Sequence, residues 1–165
     1  MRPRVIAAAL LVAGGLGASL SACSHNPQEA LGSMQTSWQV TNVYTEPNTP
    51  SSLPPEIAGR AVMVFGDSTV TGDTGCAPFH GSASFTKDGK AAPADQADRV
   101  EFSHLDLDTK RVSDESCPGA SRHFHDALVQ LIQGPLKVRF EGDTGLVLTE
   151  DSERVNAPAM RLTTH

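Results

Sequence analysis

The sequence predicts an α+β domain: a curved antiparallel sheet of several short strands with one main helix packed on it. Three observations point there. Short runs of β-branched and aromatic residues recur along the chain, several with period-two alternation. Clusters of Pro, Gly, Asn, Asp and Ser separate those runs. A single late stretch carries an apolar stripe of helical period. The length of 165 residues fits one domain. Strands followed by a lone helix and a hairpin fit segregated layers, not a parallel sheet.

The elements follow in order. "SWQVTNVY" places Trp38, Val40 and Tyr44 on one face at period two, with Asn42 the exception, and reads as a strand. "TEPNTPSSLPPEIAG" reads as a long exposed loop. "RAVMVF" is a largely buried strand. Gly66-Asp67-Ser68 supplies a turn, "TVTG" resumes extended structure, and "HGSASF" is a further strand ending at Phe85. Asp88-Gly89 is a turn signal. In "RVEFSHLDL", Val100 and Phe102 alternate with Glu101 and Ser103, then the phase changes at Leu105 and Leu107. That predicts a bulge or bend near His104.

The helix is "PGASRHFHDALVQLIQGP", where Phe124, Leu128, Leu131 and Ile132 fall at i, i+4, i+7 and i+8. Pro118 suits its first turn, and Gly134-Pro135 stops it. "LKVRF" then points Leu136, Val138 and Phe140 in and Lys137 and Arg139 out. "EGDTG" turns the chain, "LVLTE" returns, and "PAMRLTT" is the last strand.

The first residues have the layout of an export signal. Arg2 and Arg4 give a positive start, "VIAAALLVAGGLGASL" is an uncharged apolar run, and "LSAC" ends it at Cys23. "L-S-A-C" also resembles the bacterial lipobox, whose Cys becomes the acylated first residue of the mature chain. The expected organisation is a signal peptide over 1–22, a polar tether over 23–36 and a folded domain over 37–165. Acylated Cys23 would hold the protein in the lipid bilayer at the extracytoplasmic face of a bacterial membrane. Cleavage would remove two basic and no acidic residues, taking the formal charge from -6 to -8. That balance argues against nucleic acid and against anionic lipid as partners.

Of three cysteines, lipidation of Cys23 leaves Cys76 and Cys117. An even pair in an exported domain reads as a disulfide. Closing a loop of about 40 residues contributes about 4 kcal/mol by chain entropy.

Three chemistries have candidate residues in the sequence. "VFGDST" resembles the first block of the GDS hydrolases, with Ser68 as nucleophile. Yet "TVTGDTG" after Ser68 is turn-forming rather than helical, and that family's later Asn-Asp and Asp-x-x-His blocks are missing. A Cys76 thiolate paired with His80 or His104 conflicts with the disulfide. A metal site is suggested by Cys76, His80, Cys117, His123 and His125. However, His123 and His125 lie about 200° apart on a helix and cannot converge on one ion; both flank the apolar stripe, a surface position. No cofactor, metal or catalytic residue is therefore expected, and His80 and His104 remain weak ligand candidates.

The assembled residues resemble a family. "SWQV", then "V-T-G-x-x-G-C-x-x-F-x-G" from Val70 to Gly81, a second Cys before a helix, "F-x-x-A-L" from Phe124 and "GLVL" are similar to the META domain of the HslJ-like heat-shock lipoproteins. The family pattern has Asn after the motif Cys; here Ala77-Pro78 stand there. The resemblance implies structural roles for Gly75, Phe79 and Gly81, no catalytic residues, and a membrane-associated protein linked to stress. The expectation is thus a non-enzymatic lipoprotein of the cell envelope; alternatives are a small-ligand or metal carrier and, least, a small serine hydrolase.

Overall fold

The computed structural model describes residues 36–49 and 51–164. The expected signal peptide, Cys23 and all but the last residue of the tether lie outside them.

The described residues form nine strands and one α-helix. In order they are β1 (Ser37–Tyr44), β2 (Ala61–Phe65), β3 (Thr69–Thr74), β4 (Pro78–Lys87), β5 (Lys90–Ala91), β6 (Arg99–Leu107), α1 (Gly119–Ile132), β7 (Leu136–Glu141), β8 (Gly145–Glu150) and β9 (Ala159–Thr163). The strand order is β3-β2-β1-β9-β8-β7-β6-β4, and β4 pairs back onto β3. Eight antiparallel strands therefore close a barrel, and β5 only extends the β4 hairpin.

This overturns the expected open, curved sheet with a helix packed on it. Alternation along each strand reports an inner and an outer face, but closure depends on two distant seams. One is β1–β9, with Val40 opposite Leu162 and Val43 opposite Met160. The other is β6–β7, a short seam of Arg99 opposite Lys137 and Val100 opposite Leu136. Once closed, the sheet buries its apolar face against itself and needs no helical layer.

The inner face supplies the core. Trp38, Val40, Met63, Phe65, Leu148 and Leu162 are among its fully buried side chains. Phe65 stacks on Phe102 at 6.1 Å and meets Phe85 edge-on at 6.3 Å. Side chains fill the interior. The helix instead closes one end, where the β1–β2 loop, the β3–β4 turn and the β8–β9 loop also gather. Its buried stripe is Phe124, Leu128, Leu131 and Ile132, the four residues its periodicity predicts. The loop after β1 is less exposed than its composition predicts, because Ile57 is fully buried and Leu53 packs on the core.

Two bulges re-aim side chains. On β6, the register shifts between Ser82 opposite Ser103 and His80 opposite Asp106, with His104 at φ 52°, where the phase change predicts it. On β1, Val40 faces Leu162 but Asn42 faces Arg161, so one residue is extra. The phase flips there: Val43 enters the core and Tyr44, expected inside, faces out.

Candidate functional site

Two regions collect the side chains that bear on function: the capped end and the outer face of β7–β9.

At the capped end the β3–β4 turn is tied to the helix twice. Cys76 and Cys117 form the expected disulfide, with Cα atoms 5.4 Å apart and both residues buried. Beside it, Thr74 Oγ1 accepts the amides of Cys76 at 3.3 Å and Ala77 at 3.0 Å. Both acceptor positions of the hydroxyl are then filled. Its single proton points to His125 Nδ1, 2.7 Å away, in preference to Ala77 O at 3.2 Å. Nδ1 thus accepts, and the ring is neutral with its proton on Nε2.

The electrostatics agree. Burial holds the His125 pKa below its usual value; Asp126 and Asp73 raise it, and Arg122 lowers it further, without reversing that shift. His125 is therefore not the surface residue that its place beside the apolar stripe suggests. The β3–β4 turn covers it, a contact that helix periodicity does not report.

The motif from Val70 to Gly81 is committed to this construction. Val70 and Phe79 are buried in the barrel. A Cβ on Gly72 would lie 2.6 Å from the Phe79 ring, so the aromatic packs where a side chain would stand. Gly75 has φ 89°, and a Cβ there would meet Ile57 at 2.7 Å. Asp73 Oδ1 accepts the Gly75 amide at 2.7 Å. Gly81 sits opposite the β6 bulge, where a Cβ would meet Leu105 and the Ser103 carbonyl, both at 2.9 Å. Ala77 is fully buried, and Pro78 opens β4, where a missing amide is tolerated.

The remaining sequence candidates do not converge. Ser68 lies in the β2–β3 hairpin turn, closed by the Gly66 amide on Thr69 O at 2.9 Å. It is not on a strand-to-helix elbow. His80 and His104 are exposed on β4 and β6. Among the described residues, no group of three or more His, Cys, Asp or Glu is placed to hold a metal ion.

The outer face carries what sequence reasoning missed. A groove of about 460 Å³ crosses β7, β8 and β9 beneath the end of β1 and the β8–β9 loop. Tyr44 and Val155 line it, and these are the large apolar side chains exposed among the described residues. At its floor Glu141 takes Arg139 on one carboxylate oxygen, at 2.7 Å, and Arg161 on the other. The Arg139 and Arg161 side chains are 66% and 46% exposed and that of Glu141 is 24% exposed, so the basic side chains are the more open to water. The arrangement recurs alongside: Asp151 lies under Arg99 at 2.7 Å and Lys137 at 3.3 Å. The outward phase of Lys137 and Arg139 was legible; their clustering with Arg99 and Arg161 follows from how β6 pairs with β7 and β9 with β8.

These features define a small, helix-capped, disulfide-linked β-barrel whose interior is filled. The chain matches the family model of the META domain over residues 29–160 and belongs to that family. No curated protein and no solved structure matches it.

Proposed function

We propose that the protein is a non-enzymatic, lipid-anchored META-domain module at the extracytoplasmic face of a bacterial membrane, acting through contacts with a partner in envelope stress or at the cell surface. One observation carries this reading. The family motif is committed to the β3–β4 hairpin and its cross-link, and the barrel interior is filled, so the outer surface is what remains for recognition. The filled interior weighs against a carrier that encloses its ligand. The hairpin setting of Ser68 weighs against the hydrolase.

The anchor is tested on the full chain by membrane fractionation and intact-mass analysis. The expected result is a membrane-bound chain beginning at an acylated Cys23, and Cys23→Ala that is no longer acylated. An unmodified Cys23 in the wild-type protein would overturn the anchor. Ester hydrolysis that Ser68→Ala abolishes would overturn the non-enzymatic reading.

A further inference from the structure

We infer that the outer face of β1 and β6–β9 is a docking surface for an extended, acidic peptide segment of a partner protein, one that also carries an apolar or aromatic side chain. The inference names a partner class for the interaction-module reading and rests on it, but it does not need the lipid anchor.

The shape argues for a chain segment. The groove at Tyr44 and Val155 adjoins a second depression of about 540 Å³ at Asp88 and Arg99, and the two share Arg139 and Thr149. Together they run across the strands from β1 to β6. Four inter-strand spacings span about 19 Å, the length of about six extended residues. A compact ligand would use one depression; a peptide lying across the strands reaches both.

The chemistry sets its composition. Arg99, Lys137, Arg139 and Arg161 stand above two shared carboxylates, Glu141 and Asp151. Each carboxylate answers two cations, so this cluster is left with two positive charges in a chain whose formal charge is -6. Each guanidinium has five N–H donors and gives only some of them to its carboxylate, leaving donors for a second one. Glu46 at the β1 end and Asp88 and Asp98 at the far end bound the basic centre. That pattern favours acidic residues in the middle of the segment over a uniformly anionic surface. Tyr44 stands outside because the β1 bulge turns it there, and it offers an apolar face with a polar tip. Val155 is 99% exposed on the opposite lip. An apolar side chain inserted between them buries surface that the free protein leaves in water.

The test uses the full chain with a phage-displayed library of random octapeptides and, in parallel, vesicles of phosphatidylglycerol and of phosphatidylcholine. The expected result is enrichment of peptides combining Asp or Glu with an aromatic or aliphatic residue. Their synthetic forms, followed by fluorescence anisotropy, should bind at least tenfold more weakly to Arg139→Gln/Arg161→Gln and to Tyr44→Ser/Val155→Ser. Lys110→Gln, on the loop after β6, should leave binding unchanged. Circular dichroism establishes that each variant folds. No enrichment, enrichment of basic peptides, or selected peptides indifferent to both double variants would overturn the inference. So would vesicle binding lost in Arg139→Gln/Arg161→Gln without any peptide enrichment, because the face would then meet the bilayer. Failure of the Cys23 experiment leaves this result intact, which separates the two readings.

Discussion

The capped end and the outer face of β7–β9 use their side chains in opposite ways. At the capped end, Cys76, Cys117, Thr74 and His125 are all buried, and each is bonded to another of them. On the outer face, Arg139, Arg161, Tyr44 and Val155 are in water, and the arginines keep donors to spare. The difference teaches that the most recognisable residues need not be those that meet a partner. A motif of glycines, an aromatic and a cysteine is demanded by close backbone approach and covalent geometry, whereas a recognition surface needs only outward positions of suitable charge and shape.

The comparison predicts that substitutions at the capped end act on stability and those on the outer face act on binding. The disulfide should give the largest effect. It closes a separation of 41 residues, and the chain-entropy estimate for that loop is about 4 kcal/mol. Cys76→Ala/Cys117→Ala should therefore unfold at much lower urea concentration than the wild type, with a steeper dependence on denaturant because the unlinked unfolded chain exposes more surface. A loss under about 1 kcal/mol would mean that helix and turn stay docked without the link, and the capped end would lose its distinction.

His125 should come second, through pH. Its folded-state pKa lies below the unfolded value of about 6.5. Below about pH 6.5 the unfolded chain takes up a proton that the folded chain resists. Stability is thus fully present above that pH and falls as pH drops toward the folded pKa, by at most about 1.4 kcal/mol per pH unit. His125→Asn keeps an acceptor for the Thr74 hydroxyl but does not titrate. Urea midpoints between pH 7.5 and 5.5 should slope in the wild type and flatten in this variant. Thr74→Val, which leaves two buried amides without their acceptor, should cost about 1–3 kcal/mol across the whole range. Parallel slopes in wild type and His125→Asn would show that carboxylates dominate and that the buried imidazole does not.

The contrast also explains what the sequence made legible. Local signals held: the strand at 37–44, the bulge at His104, the hairpin turns at Ser68 and at Asp88-Gly89, and the helical stripe. The Cys76–Cys117 link followed from counting cysteines under the expectation of export. Three features did not follow, all non-local. Barrel closure requires knowing that β9 returns to β1 and that β6 meets β7 across the helix. The burial of His125 requires knowing what packs over the helix. The outward face of Tyr44 requires an extra residue in β1 that becomes visible only opposite β9. The basic cluster fails for the same reason, since Arg99 and Arg161 are far apart in sequence and flank β7 and β8 only once β6 pairs with β7 and β9 with β8.

The smallest effects on stability should come from the outer face, and they bear hardest on the comparison. Exposed ion pairs contribute about 0–1 kcal/mol, because water already solvates both partners and two long side chains lose freedom. Arg139→Gln/Arg161→Gln should therefore shift the urea midpoint by less than about 1 kcal/mol. What loss there is should come from Glu141, whose half-buried carboxylate loses both cations but keeps amide donors nearby. Tyr44→Ser/Val155→Ser should stay within about 0.5 kcal/mol, since neither residue contributes to the core. A loss of several kcal/mol in the arginine pair would mean that the cluster braces β7 against β9. The groove would then be a by-product of barrel packing, and the division of labour between the two regions would not stand.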